Sequence, residues 1–503
     1  MRATLMTSTI AAAFAAAAVW APAMAQTLEI GLIEDVDTLD PAQGRTLGGR
    51  QVFSTLCDKL FEVDSDGNLQ PELALEHVTS EDGLTVTLTL RQGVVFHDGE
   101  PFNAQAVKYN LDRAMTMEES ARKGDLRAIE RVEVIDDYTV ALILHQPYTP
   151  LLAQLADRPG MMISPAAAEA KGPDGFATDP VCSGPFRLVE QIPQDHIELA
   201  RFEDYWNADN IHIERVIYRP VPDATVRLNN LLAGQLDLIE QVATTDLEKL
   251  RSTEGFEVAS VTGLGHFHLL FNLAGDGPFA KSAALRQAVD AAIDRNIINQ
   301  AVFGGEFVPG NQPVQPASPY YAGDFPVPAR DLERAKALVA ESGVDSPSLA
   351  IVLNNNPTFL RVAQVIQSML AEAGITVTLN PTDSGTATGL VTSGDFEGFF
   401  SFWSGRVDPD ANTHTYLGCT GSQNSGGYCN EEVEALLTRA AAASDPAVRA
   451  DLYAQAAAIW MADAPTLFIY HPKLFFGYSS AVQGFTPVPD GLVRLDGVTL
   501  AED

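Results

Sequence analysis

The sequence is poor in basic residues. Its 503 residues include 32 Lys and Arg against 66 Asp and Glu, which gives a formal net charge of -34 at pH 7. Nucleic acids and anionic membrane surfaces are bound through basic patches, and a chain with this charge is repelled by both. We therefore expect no nucleic-acid partner. The ligand pocket can still carry a local charge of its own.

Long hydrophobic runs are also lacking. After residue 25 no segment reaches the roughly 18 consecutive apolar residues of a membrane-spanning helix. Residues 1–25 have the pattern of a secretory signal peptide, with Arg2, a short apolar core over 10–20 and Ala23-Met24-Ala25 before the cleavage site. A membrane anchor is the alternative, for which the apolar core is short. Ala23-Met24-Ala25 predicts cleavage before Gln26. No cysteine follows the signal to carry a lipid anchor, and we expect a soluble protein exported to a bacterial periplasm.

Cysteines are few but even in number. Cys419 and Cys429 flank a loop rich in Gly and Ser, which closes easily into a disulfide. Cys57 and Cys182 would form the second pair. Three pairings are possible and this one is our expectation, with free buried thiols as the alternative for Cys57 and Cys182. No CxxC or Cys/His cluster with ligand spacing is present, and we expect no metal site.

Motifs of catalysis are missing as well. The sequence has no GxSxG, no HExxH and no phosphate-binding GxxxxGK[ST]. An acidic chain offers many carboxylate pairs, so a glycosidase pair would not stand out. His266 and His268 share one strand face and could bind a metal, but without a third ligand nearby we expect them to be ordinary strand residues. We expect no enzyme and no cofactor.

A chain of this length forms two or three lobes rather than one core. Residues 84–90 alternate apolar and polar side chains, which predicts a half-buried strand. Asn103 is placed to cap a helix over 104–115. A second alternating hairpin covers 131–135 and 138–144, and together these predict a small α+β subdomain over 56–175. We also expect helices over 52–60 and 282–298, the latter capped by Ser282.

Beyond residue 330 helices and strands alternate. Helices are predicted over 331–341 and 359–373, and strands over 348–353 and 375–379. Such alternation is typical of an α/β lobe with a partly parallel sheet and crossover helices.

Four segments in order resemble one known family: LRQGVVFHDGEPFNAQAVKYNLDRA, VCSGPFRLVEQIPQDHIELARFEDYW, ERVIYRPVPDATVRLNNLLAGQLDLIE and SAALRQAVDAAIDRNII. They are similar to the peptide-class (family 5) extracellular solute-binding proteins of ABC transporters. That family includes oligopeptide, dipeptide, glutathione and nickel receptors. The resemblance covers nearly the whole chain beyond the signal.

The resemblance implies an α/β, two-lobed periplasmic-binding-protein fold (type II, cluster C) with an extra α+β subdomain in lobe one. Lobe one would comprise 26–268 plus 480–503, including the 56–175 subdomain, and lobe two 269–479. Two crossing strands would form the hinge, and ligand would bind in the cleft as the lobes close. A monomer that delivers its ligand to an ABC permease in the inner membrane is implied.

The loop over 399–417 is the most informative for ligand binding. In the resembled peptide receptors a W-x-G-D motif supplies an Asp that pairs with the ligand's α-amino group, whereas here Trp403-Ser404-Gly405 is followed by Arg406. A guanidinium pairs with a carboxylate instead. Arg406 would contact ligand, Trp403 could stack on it, and Asp408 is a further candidate. The alternative is that Arg406 only pairs with Asp408 or Asp410.

The loop after the first strand approaches the ligand in the resembled family. Here it carries Arg45, Thr46 and Arg50, which we add as candidate ligand residues, and Gly48-Gly49, whose backbone N–H groups could approach a carboxylate. The expected function is the binding component of an ABC importer for a peptide-like or carboxylate-bearing ligand. Alternatives are a receptor of the same fold for an oligosaccharide or a metal chelate, or a secreted hydrolase.

Overall fold

The computed structural model of the protein describes residues 26–501. The predicted signal peptide over 1–25 lies outside the described residues. Within the described part of the chain, every helix is either too short or too polar to cross a membrane.

The first of two large sheets has seven strands and is mixed. Its central strand, Thr27–Leu32, pairs in parallel with Arg215–Pro220 on one side and with Leu238–Ile239 on the other. In spatial order the strands are Phe256–Thr262, Lys473–Ser479, Leu238–Ile239, Thr27–Leu32, Arg215–Pro220, His196–Arg201 and Phe186–Ile192. Leu28, Ile30 and Tyr218 are buried in the core of this sheet.

The second sheet has six strands, in the order Val308–Pro309, Thr466–His471, His266–Phe271, Gly398–Trp403, Ser348–Asn354 and Thr376–Thr382. Strand Ser348–Asn354 runs parallel to both of its neighbours, as the helix–strand alternation predicted. Helix Pro357–Glu372 makes the crossover and packs its apolar face on the sheet. The protein therefore has the predicted two-lobed α/β fold.

The chain passes between the two sheets twice. One passage lies between strands Phe256–Thr262 and His266–Phe271, and the other is at Pro472, between Thr466–His471 and Lys473–Ser479. His471 Nδ1 lies 2.8 Å from the Gly265 carbonyl oxygen, so the two passages are in contact. The division expected at 268/269 falls inside a strand of the second sheet, and the one expected at 479/480 falls after a strand of the first.

A four-stranded antiparallel sheet forms a separate layer, in the order Ala74–Thr79, Thr85–Leu90, Thr139–Leu144 and Ile129–Asp136. Helix Ala104–Thr116 packs against it, and the Ala106 N–H donates to Asn103 Oδ1 at 3.1 Å, which is the predicted cap. The remaining two-stranded pairs are Phe61–Val63 with Leu69–Pro71, and Val482–Gln483 with Thr499–Leu500.

The helices that cover the sheets, with their bounds, are Leu47–Leu56, Ala104–Thr116, Leu151–Gln154, Pro165–Phe176, Ala224–Leu232, Leu247–Ser252, Pro278–Lys281, Ala283–Ala292, Arg295–Phe303, Leu332–Glu341, Pro357–Glu372, Ser384–Ser393, Asp410–Leu417, Glu431–Ala442 and Pro446–Asp463. Short 3-10 turns lie at Arg158–Gly160, Ala208–Asn210 and Thr244–Asp246.

Two helix predictions were wrong in their bounds. The helix expected over 52–60 spans Leu47–Leu56, because Thr46 caps it by accepting the Gly49 N–H at 3.0 Å. The helix expected over 282–298 is two helices, Ala283–Ala292 and Arg295–Phe303. Ser282 caps the first as predicted, and Asp294 caps the second by accepting the Ile297 N–H.

Both disulfides have the expected pairing. Cys57 is joined to Cys182, a sequence separation of 125, and Cys419 to Cys429, a separation of 10. The first ties the end of helix Leu47–Leu56 to the segment before strand Phe186–Ile192, inside the core of the first lobe. The second closes the Gly/Ser-rich loop after helix Asp410–Leu417.

Candidate functional site

Arg406 lies at the meeting point of the two lobes. It lies in the loop that follows the carboxyl end of Gly398–Trp403, an inner strand of the second sheet. Its Nε lies 3.4 Å from Oδ2 of Asp157, a residue next to the small α+β layer of the first lobe. Its guanidinium also stands over the Trp403 ring, with Cζ 4.8 Å from the ring centroid. Neither Asp408 nor Asp410 pairs with it, but its Nη1 donates to the Ser404 hydroxyl at 3.2 Å and to the Gly405 carbonyl oxygen at 2.7 Å, so its own loop also holds it.

Glycine fixes the path of the loop that carries Arg406. Gly405 has φ +81°, and a Cβ there would lie 2.2 Å from the carbonyl carbon of Leu264. Leu264 belongs to the first passage between the lobes. The loop is therefore pressed against the hinge, and no other residue fits at this position without backbone movement.

Asn412 holds the two ends of this loop together. Its Oδ1 accepts the Trp403 indole N–H at 2.9 Å and the Arg406 backbone N–H at 2.7 Å, while its Nδ2 donates to the Arg406 carbonyl oxygen at 2.7 Å. The Asn412 side chain is buried, so these bonds are shielded from water. Asn412 thereby sets the positions of both Trp403 and Arg406.

Asp157 receives cations from two directions. Arg50 Nε donates to its Oδ1 at 2.8 Å, while Arg406 approaches its Oδ2. Burial alone would raise the pKa of Asp157, but Arg50, Arg406 and Arg158 outweigh it and hold that pKa well below its usual value. Asp157 is therefore a carboxylate at physiological pH.

Two more arginines stand beside this carboxylate. Arg122 Nη2 donates to the Gly44 carbonyl oxygen at 3.3 Å, and Arg158 Nη1 donates to the same oxygen at 3.1 Å. Arg122 also pairs with Asp125 at 3.1 Å. Burial lowers the pKa of Arg158 to about 9, against the opposing influence of Asp157. We name these residues the arginine cluster: Arg50, Arg122, Arg158 and Arg406, with the carboxylates of Asp125 and Asp157.

Asp408 has a partner of its own. Arg449 holds it with two bonds, Nη1 to Oδ2 at 2.9 Å and Nη2 to Oδ1 at 2.7 Å, and both side chains are buried. Asp410 accepts the Tyr148 hydroxyl at 3.1 Å, which joins the second lobe to the small layer of the first. Asp408 also lines a cavity between the lobes, and its pairing with Arg449 anchors the loop that carries it.

The three candidate residues from the first loop lie in three different environments. Arg50 joins the arginine cluster, with Nη1 also donating to the Asp490 carbonyl oxygen at 3.0 Å. Thr46 is the helix cap, and its hydroxyl donates to Asp37 at 2.7 Å. The Arg45 side chain is exposed and has no hydrogen bond or ion pair with any other described residue.

The prediction for Gly48-Gly49 was wrong, because these residues form the first turn of a helix. The Gly48 N–H donates to Glu34 Oε1 at 3.2 Å, and the Gly49 N–H to Thr46 Oγ1 at 3.0 Å. Both backbone donors are thus taken by the chain itself rather than offered to a ligand.

A cavity opens between the lobes at Arg406. It has about 30 Å³ of room for the centres of water-sized molecules and is lined by Asp125, Ala153, Gln154, Asp157, Pro159, Arg406, Asp408 and Ala411. That is space for water and not for a larger solute. The cavity brings an anion-binding guanidinium of one lobe against the other lobe.

The two strand histidines lie away from this cavity. His266 and His268 are buried in the second sheet, with ring centroids 5.0 Å apart, and both rings pack edge-on against Tyr416. Among residues 26–501 a metal-like grouping of side chains occurs at Glu190, His196 and Glu198, on a surface hairpin of the first sheet, where Glu198 is paired with Arg215.

Comparison with known proteins places these features in context. A family model described as bacterial extracellular solute-binding proteins, family 5 (middle), matches residues 68–424. The glutathione-binding protein GsiB of Pectobacterium atrosepticum is 29% identical over 512 residues, covering 99% of this chain and 98% of the relative.

Solved structures are similar over most of the chain. The binding protein AgaA of A. tumefaciens R10, in complex with agropinic acid, matches with a TM-score of 0.83 and 26% identity, covering 95% of this chain and 99% of that one. The ABC transporter substrate-binding protein CtaP of Listeria monocytogenes matches with a TM-score of 0.86 and 23% identity, covering 95% and 100%. The second likeness concerns the fold alone.

Proposed function

Because the chain belongs to the bacterial extracellular solute-binding proteins of family 5, we propose that the cleft between its lobes captures a peptide-like or carboxylate-bearing small solute. The observation that carries this proposal is Arg406, a guanidinium on the second lobe that faces the first lobe across the cavity. A carboxylate of the ligand would take the place beside Arg406 that Asp157 occupies in the closed arrangement.

The ligands of two similar proteins agree with an anionic group at this place. Glutathione is named for the Pectobacterium relative and agropinic acid for the Agrobacterium structure, and both compounds bear carboxylates. Of the residues predicted for ligand contact, we propose Arg406, Trp403 and Arg50 as the binding group. Asp408 and Thr46 would support the loops, and Arg45 would act from the exposed rim.

We propose that the two sheets are the cores of the two lobes, divided at residues 263–265 and at Pro472. The passages there would act as the hinge, and closure would bring Arg406 onto a ligand already bound to the first lobe. The protein would bind and release its ligand without making or breaking covalent bonds. The mature protein would act in the periplasm after removal of residues 1–25 and deliver its ligand to an ABC permease in the inner membrane.

A thermal-shift screen of the purified mature protein tests this proposal. The compounds are glutathione, the dipeptide Met-Leu, agropinic acid, neutral oligosaccharides and nickel. A ligand at a hundred times its dissociation constant stabilises the folded state by about 2.7 kcal/mol, which is easily measured. We expect shifts from carboxylate-bearing compounds. A shift from sugars or nickel alone would overturn the proposed ligand class.

A further inference from the structure

Two arginines of the cluster, Arg122 and Arg158, are buried without full compensation. Only 7% and 8% of their surfaces are exposed. Each donates one bond to the Gly44 carbonyl oxygen, and each has an Nε–H with no hydrogen-bond partner among residues 26–501. A buried guanidinium donor without an acceptor is costly, and an anion bound beside these arginines would remove that cost.

The carboxylates close to Arg122 and Arg158 already form ion pairs with arginines of the cluster. Asp125 pairs with Arg122, and the two oxygens of Asp157 face Arg50 and Arg406. Among the described residues no carboxylate lies within ion-pair distance of the Arg158 side chain. Arg158 is thus the member of the cluster with the least compensation.

The charges of the cluster do not cancel. Four guanidinium groups face the carboxylates of Asp125 and Asp157, and Arg50 also lies 3.9 Å from Asp490, a carboxylate that it shares with Arg494. A single ligand carboxylate at Arg406 would leave part of this positive excess without an anion.

Arg406 borders one cavity, and Arg122 and Arg158 border another. The cavity at Arg406 has Pro159 in its wall, and Pro159 also lines a second, smaller cavity bordered by Arg122 and Arg158. The second cavity has about 10 Å³ of room, close to the space of one water. The second cavity lies within the first lobe, and its wall also contains the buried Asp40 carboxylate, which is paired with Arg113.

We propose that the ligand carries two carboxylates, one held by Arg406 and the other by Arg158 together with Arg122. This inference rests on the proposed function and narrows the ligand class to dicarboxylate, peptide-like solutes. A monocarboxylate such as a neutral dipeptide would leave Arg158 without an anion. Entry of the second carboxylate requires the segment at Pro159 to move as the lobes open.

Calorimetric titration with glutathione and its two monoesters tests the proposal on the mature protein. Each monoester lacks one of the two carboxylates. Loss of a charged hydrogen-bonded contact should weaken binding by about tenfold or more for each ester. In Arg158→Gln the penalty for one ester should disappear while the penalty for the other remains, and in Arg406→Gln the pattern should be reversed.

Failure of this inference and failure of the proposed function give different results. If both ester penalties keep their wild-type size in Arg158→Gln and in Arg122→Gln, the second carboxylate place does not exist, although the proposed function stands. If neither glutathione nor any other carboxylate compound binds the wild type, the proposed function itself fails. Arg158→Lys keeps the charge but loses the planar fork, so it provides a folded variant should Arg158→Gln be unstable.

Discussion

Arg406 and Arg50 hold the same carboxylate from opposite lobes: Arg406 lies 3.4 Å from Oδ2 of Asp157, and Arg50 lies 2.8 Å from its Oδ1. Asp157 thus acts as an internal anion between the two lobes. Under the proposed function, a ligand carboxylate would compete with it for Arg406, and the affinity for ligand would depend on the strength of this internal pair.

Asp157→Asn should remove that internal anion. Arg406 would lose this carboxylate and Arg50 would keep only Asp490, 3.9 Å away, and breaking a buried pair in this way costs about 3–5 kcal/mol in the free energy of unfolding. A carboxylate ligand should restore more of the lost stability in the variant than it adds to the wild type. Urea denaturation with and without glutathione measures both effects. Equal ligand stabilisation of the two proteins would refute the competition.

Asn412 should matter for binding through Arg406. Asn412→Leu removes two acceptor bonds and one donor bond and should lower affinity for a carboxylate ligand by about tenfold. Asn412→Asp keeps the acceptors for the Trp403 and Arg406 N–H groups, so it should retain more affinity. Trp403 fluorescence should change in the Leu variant. An unchanged dissociation constant in Asn412→Leu would show that the loop is held by other contacts.

Asp408 should be important for stability rather than for affinity. Its two bonds to buried Arg449 anchor the loop, and Asp408→Asn should lower the free energy of unfolding by about 3–5 kcal/mol. The dissociation constant of the folded variant should stay close to the wild-type value. A loss of affinity as large as that of Arg406→Gln would instead place Asp408 in direct contact with ligand.

His414 should make stability depend on pH. Burial lowers its pKa, but Asp410 and Glu434 on either side outweigh this and raise the pKa above its ordinary value. A group of this kind contributes stability that is fully present below about pH 6.5 and lost as pH rises through the folded-state pKa. Wild type should therefore lose stability relative to His414→Gln as the pH rises above about 6.5 and through the raised folded-state pKa. Parallel curves for both proteins would contradict the assignment.

The two disulfides should differ in their contribution. Cys57–Cys182 closes a much longer loop than Cys419–Cys429, and loop entropy makes the longer closure more stabilising. Removing it by Cys57→Ala with Cys182→Ala should cost about 2–5 kcal/mol. The matched change at Cys419 and Cys429 should cost less. Thermal unfolding of the two double variants gives the comparison.

Local patterns predicted much of the fold. The strand over 84–90 and the Asn103 cap follow from residues close in sequence. The Cys419–Cys429 disulfide follows from the short loop between the two cysteines, and Cys57–Cys182 follows from the even number of cysteines. The helix at Leu47–Leu56 was placed too late, because Gly48 and Gly49 disfavour helix interiors and the Thr46 cap was overlooked. In the first turn of this helix, Glu34 and Thr46 accept the free N–H groups of Gly48 and Gly49, and these bonds offset the low helix propensity of glycine.

The sequence predicted Arg406 and Arg50 for the site but not Asp157, the carboxylate that joins them. Arg406 stood out because it departs from a familiar motif, but its partner Asp157 lies in a turn far away in the chain. The only local signal was a charged Asp-Arg pair before Pro159-Gly160, between two apolar stretches. Long-range pairing of this kind depends on how the lobes meet, and a single sequence does not contain that information.

The central claim is that Arg406 holds a carboxylate of the ligand. Its most direct test is calorimetric titration of glutathione into the mature wild type, Arg406→Gln and, as a control, Arg334→Gln, which changes an exposed arginine of the second lobe. We predict that Arg406→Gln weakens binding by about 10- to 100-fold while Arg334→Gln leaves it unchanged. Equal affinity in Arg406→Gln and wild type would contradict the account.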